Sequence, residues 1–150
     1  MVPHVEHLWT ILCKVVGKDA QGGLALIGLI DMIHVPDLPE NGKLGFDCHV
    51  LSYWRRNFDP GTVLRQRLVM EYQVDGRRWP LAGEEKIVVT DRHLYCAITP
   101  IHHFPIGGYG QHMVVVQRQD APDGEWSDAL PTAGIWVAST AMMASLPPPT

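Results

Sequence analysis

The sequence is poor in the features that usually betray a function. Its three cysteines, Cys13, Cys48 and Cys96, are odd in number and widely spaced, with no CxxC pair. That argues against a disulfide framework and predicts buried, reduced thiols in a cytoplasmic protein, with a Cys13–Cys96 bridge across two sheets as the one pairing left open. No apolar run approaches the ~20 residues of a membrane helix; the longest is residues 24–30. The opening MVPHVEHLWT lacks the basic start and long apolar stretch of a secretory signal. Charge is scarce too, at 19% of residues with a net −4, so there is no general basic field for a polyanion. The pairs Arg55-Arg56 and Arg77-Arg78 are only local clusters. Neither a nucleic-acid nor a membrane partner is expected.

Catalytic signatures are missing as well. There is no G-x-S-x-G, and Ser52, Ser127, Ser139 and Ser145 stand in no recognisable context. Gly107-Gly108-Tyr109-Gly110 is glycine-rich but lacks the G-K-[ST] of a phosphate loop and precedes a strand rather than a helix. Glu84 and Glu85 are adjacent and fall on opposite faces of an extended chain. Hence no catalytic residue, metal ligand or cofactor is assigned.

What is present is strand periodicity. At 150 residues and 46% hydrophobic content, the chain is expected to form one domain with a single core. Residues 8–16 are apolar and β-branched, with Trp9, Ile11, Cys13 and Val15 on one parity, and Gly17 stops the run. Residues 24–33 are read as one strand in preference to a helix, because the run is short and contains Gly28. Residues 43–56 alternate as a third strand, and Asp59-Pro60-Gly61 marks a turn. Residues 62–74 alternate most cleanly, with Gln66 the lone polar member of an apolar parity and Arg65, Arg67, Glu71 and Gln73 opposite. Asp75-Gly76 predicts a two-residue hairpin turn, and Pro80 interrupts the returning strand, which suggests an edge.

Residues 85–89 and 92–98 are two short strand candidates, with a helical turn near 91–95 as the alternative to the second. Residues 104–119, FPIGGYGQHMVVVQRQ, read as a glycine corner followed by a strand buried on both faces. A loop at 121–128 and a last strand at 132–138 follow, and residues 142–150, ending LPPPT, are expected to fray. Seven to nine short strands with no βα alternation predict an all-β, antiparallel Greek-key sandwich.

Several of these pieces together resemble a bacterial family of about this length whose function is uncharacterised. They are the opening strand with Cys13, the run Leu24-Ala25-Leu26-Ile27-Gly28, Pro60-Gly61-Thr62 before a long strand, and Phe104 with Gly108 and Tyr109. The resemblance covers most of the chain and implies an immunoglobulin-like sandwich, with no catalytic or binding residue carried over. The immunoglobulin tyrosine itself is absent, since Leu94 lies two residues before Cys96.

Histidine and tryptophan supply the remaining chemistry. Of eight histidines, His102 or His103 faces His112 if the chain turns at 107–110, and with a carboxylate such a pair would suit zinc or iron. The competing reading is local hydrogen bonding. His4 and His7 form an H-x-x-H group. Of five tryptophans, Trp9, Trp54 and Trp136 are expected in the core, Trp79 over an edge and Trp126 in a loop. An exposed Trp54 or Trp79 would instead stack on a sugar or partner. The leading expectation is a non-enzymatic interaction or accessory module that self-associates; metal binding and ligand binding through tryptophan are the alternatives.

Overall fold

The computed structural model describes residues 5–56, 62–89 and 94–147, with the side chains of 56, 62, 63 and 85–89 excepted. These fold as β1 (Val5–Lys18), β2 (Leu24–Leu29), β3 (Met32–His34), β4 (Cys48–Arg56), β5 (Thr62–Tyr72), β6 (Arg78–Val89), β7 (Leu94–Ile101), β8 (Gly110–Gln119), β9 (Ser127–Ala138) and a short helix, α1 (Thr140–Ala144). The fold is all-β, as expected. Four strands form one sheet in the order β2-β1-β4-β7, and five form another in the order β3-β9-β8-β5-β6. Each pairing is antiparallel except the short β3–β9 pair, which is parallel.

The two sheets bury one core between them: Val50 and Trp54 from the first meet Leu68, Val114 and Ile135 from the second. β1 adjoins β9 along one flank and β6 adjoins β7 along the other. Gln66, the lone polar residue on its apolar parity, is 1% exposed. It is there because the Trp54 indole N–H, also inside, donates to its Oε1 at 3.0 Å. A buried indole donor needs such an acceptor.

Several boundaries depart from the sequence reading. Residues 24–33 are not one strand: β2 and β3 belong to different sheets. The Ile30 N–H donates to Leu12 O in the first sheet, while Asp31 O already accepts from Trp136 in the second. β6 runs through Pro80 and includes residues 85–89. Pro80 is tolerated because β6 is the free edge of its sheet and the pairing with β5 is bulged there. The Asp75 turn is wider than two residues, since the Tyr72 N–H donates to Arg77 O and the Gly76 N–H to Tyr72 O.

Residues 104–109 are loop, and β8 starts at Gly110. β9 starts at Ser127, five residues before the sequence suggested. Met142, assigned to the fraying tail, lies in α1, which Ser139 caps by accepting the Met142 N–H. Leu94 and Tyr95 are strand rather than a helical turn; residues 91–93 and the Asp59-Pro60-Gly61 turn lie outside the described residues.

Candidate functional site

The glycine corner does hold a histidine, but a structural one. His112 is fully buried, stacked on Tyr72 at 4.7 Å between ring centroids. Its Nδ1–H donates to Gly110 O at 3.0 Å, and its Nε2 accepts the Gly107 N–H at 2.9 Å. A carbonyl can only accept and an amide N–H can only donate, so the ring is neutral and both nitrogens are engaged. Burial holds its pKa below the ordinary histidine value. The site fits because Gly107 has no side chain: a Cβ there would sit 2.6 Å from the Tyr72 ring.

The other two histidines go elsewhere. His102 is exposed, its Nδ1 3.3 Å from Asp47, and the His103 N–H donates to the same carboxylate at 3.1 Å. That backbone bond, more than the imidazole, holds the Asp47 carboxyl below its usual range. The convergence of His102 or His103 on His112 is therefore not realised, and among the described residues no group of three metal-ligating side chains assembles.

His7 is buried too. Its Nδ1–H donates to Leu130 O at 3.2 Å and its Nε2 lies 2.9 Å from the Thr10 hydroxyl. The arrangement orients a hydroxyl toward an imidazole, but His7 is 6% exposed and packs on the Trp54 ring at 5.0 Å. It ties β1 to β9. Ser52 Oγ is buried without a hydrogen-bond partner. His4 lies outside the described residues.

The thiols are free, Cys13 and Cys48 buried and Cys96 half-buried. Cys13 and Cys96 lie in the same sheet, on β1 and β7 with β4 between them, so a bridge across two sheets is excluded. Burial pushes all three pKa values up, that of Cys48 to about 12, which makes them poor nucleophiles.

Among the tryptophans, Trp54 is core, but Trp9 and Trp136 are each 42% exposed, against expectation. Trp126 lies under the Arg67 guanidinium, 4.3 Å from its ring centroid. Trp79 walls two cavities. One, of about 490 Å³, is shared with Lys43, Arg77, Glu40 and Pro105; the other, of about 330 Å³, with Arg67, Arg78 and Gln117. Its own indole N–H is buried and unpartnered.

The most distinctive surface is the outer face of the four-stranded sheet. β1 presents Trp9, Ile11, Cys13 and Val15 there; β4 opposes them with Tyr53, Leu51 and His49. β7 adds Cys96 and Ile98, paired beside Tyr53 and Leu51. β2 adds Ile27 and Leu29, opposite Val15 and Cys13. Cys13 and Leu51 form a fully buried floor, around which Val15, Ile27 and Leu29 are 50%, 59% and 66% exposed. The Trp9 and Tyr53 rings pack together at 5.1 Å, and burial raises the Tyr53 pKa to about 12. Among the described residues, Asp, Glu, Lys and Arg enter this face only at one end, where Arg55 pairs with Glu6.

The outer face of the five-stranded sheet carries an ionic network that the first face lacks among the described residues. Arg78 bridges Glu71 at 2.9 Å and Asp128 at 2.8 Å, while Gln117 binds both Arg67 and Asp128. That face is mixed: the ionic lattice stands beside Val69, Val115 and Met113, with Trp136 and Met32 exposed toward β3. The sequence reading sent Trp9 inward, although β1 and β4 are apolar on both parities. In a two-layer fold only one parity is needed for the core, and that surplus was the available signal.

No protein-family model matches the chain, and no curated protein matches it.

Proposed function

We propose that this protein is a non-enzymatic interaction module: an immunoglobulin-like, Greek-key β-sandwich that works in the cytoplasm by presenting the outer face of its four-stranded sheet to another protein. The resemblance to the bacterial sandwich family belongs to the same reading. The observation that carries it is the apolar character of that face among the described residues, where the outer face of the other sheet is laced with ion pairs. A contiguous apolar face on a single chain marks an interaction site. Trp9, Val15, Ile27, Leu29 and Ile98 are each between 38% and 66% exposed. Covering the remainder is worth about 1 kcal/mol apiece.

Trp9 and Trp136 provide an internally controlled test, because they lie on opposite outer faces and are equally exposed at 42%. Hydroxyl-radical footprinting in an extract of the producing cells should oxidise Trp9 well below Trp136. Equal oxidation of the two would sink the reading.

A second reading, ligand binding by Trp79, is favoured by that side chain's place in two cavity walls. It requires quenching of tryptophan fluorescence by a small glycan panel, lost in Trp79→Phe; a silent panel rejects it.

A further inference from the structure

We infer that the body covering the apolar face is a second copy of this chain, packed face to face about a two-fold axis with the two four-stranded sheets apposed. This rests on the interaction-module reading and names its partner.

Size is the first argument. Three strands about 4.8 Å apart, β1, β4 and β7, run together for about eight residues at 3.3 Å each, and β2 continues the face along β1 for about five more, giving roughly 500 Å² in projection. Standing side chains raise its accessible area toward the ~800 Å² that each partner contributes to a standard interface. Charge is the second. A two-fold contact sets a patch against itself, so any net charge on it repels its own image. Here the middle of the face holds no Asp, Glu, Lys or Arg among the described residues, and Arg55 at its end is paired with Glu6 on the same face. Shape is the third: a twisted sheet packs on an identical sheet at about 30°, with layers ~10 Å apart. The Trp9–Tyr53 pair and the exposed Ile27 and Leu29 lie on either side of the fully buried Cys13.

The competing geometry is edge pairing of β2 with its own copy, since β2 is the free edge of this sheet. Gly28 opposes it. Its φ of +69° turns the backbone out of extended geometry in the middle of a six-residue strand, so a continuous second ladder cannot form.

The two geometries separate at Ile98. It stands on β7, the far edge of the sheet from β2, where face packing covers it and β2 pairing does not. Sedimentation equilibrium from 1 to 500 µM, as concentrations to be used, should show the wild-type chain as a dimer. Ile98→Asp and Ile27→Asp should each weaken dimerisation by about 100-fold or more, because the axis places each substitution in the interface twice. Trp136→Asp, on the other outer face, should change nothing. Thermal melts confirm folding, and Ile98→Ser serves if the aspartate variant does not fold.

A dimer broken by Ile27→Asp but not by the Ile98 variants means β2 edge pairing and overturns the face-to-face arrangement. A dimer broken by neither overturns the arrangement and the use of this face together. A wild-type monomer at 500 µM overturns the second copy alone if Trp9 is still shielded in cell extract, and overturns both readings if it is not. A monomer that floats with phosphatidylcholine–phosphatidylglycerol vesicles assigns the face to a lipid surface instead.

Discussion

Lowering the pH from 7.5 to 5.5 should cost this fold up to about 3 kcal/mol through two buried imidazoles. His112 and His7 are 0% and 6% exposed and each donates an Nδ1 proton to a carbonyl; the Gly107 N–H at its Nε2 requires the His112 ring to be neutral. Burial is the main reason that each pKa lies below the ordinary 6.5; for His7 the nearby Arg118 guanidinium adds to it. Protonation would aim a new Nε2–H of His112 at the Gly107 N–H, donor against donor. At His7 it would set a cation near Arg118.

Because the folded-state values are depressed, the unfolded chain binds the protons first. This part of the stability is whole above about pH 6.5 and is lost as the pH falls below it. Over these two pH units each imidazole that stays neutral in the fold contributes about 1.4 kcal/mol. The carboxyls of Asp47, Asp75 and Asp128 are held below 3.8, so their own losses begin at lower pH and leave the window clear. Urea unfolding at half-unit pH steps should show the midpoint falling from pH 6.5 downward with an unchanged m-value. In His112→Asn, less stable throughout, the pH slope should drop by about half. A flat profile from pH 7.5 to 5.5, or stability rising as pH falls, would refute the neutral buried imidazoles.

Three further outcomes follow from the packing. Gln66→Leu strands the buried Trp54 N–H and should cost about 1–3 kcal/mol by chemical denaturation; the double variant with Trp54→Phe, which removes the donor, should lose less than the two singles summed. Gly107→Ala puts a Cβ 2.6 Å from the Tyr72 ring and should cost about 1–3 kcal/mol, with a visible shift of the His112 ring resonances. Arg78→Ala breaks ion pairs whose members are partly exposed. It should cost under about 1 kcal/mol, less in high salt.

The strands were legible wherever one face was wet. β5 declared itself by alternation, and its one anomaly, Gln66, marked a partner for a buried indole. The division of residues 24–33 was not legible, because a single Asp31 between the apolar residues 24–30 and Met32-Ile33 does not by itself end a strand. What separates them is long-range, namely the bonds of Ile30 to β1 and of Asp31 to β9. The corner at 107–110 was legible from its glycines, but not where the strand after Phe104 begins, since alternation says nothing of backbone dihedrals. Positive φ at Gly108 and Gly110 keeps it in the loop.

Histidine spacing suggested convergence, yet His112 turned inward to serve the corner's own backbone. The apolar face was half visible in β1 and β4, whose two parities are both apolar. Deciding which parity faces solvent needed the second sheet. Trp9 was read as core because a large aromatic in an apolar strand has no local mark to distinguish a face covered by its own fold from one left open.

The central claim is that this open face is covered when the protein works, and Cys96 reports on it directly. It stands on the face beside Tyr53 and, with Cys13 and Cys48 buried, is the one thiol that is not. Alkylation by N-ethylmaleimide at pH 8 should modify one thiol per chain, with a rate that falls several-fold as protein concentration rises through the association range. In Ile98→Asp the fast rate should persist at every concentration. A wild-type rate that is independent of concentration and equal to that of the variant would contradict the face-to-face assembly.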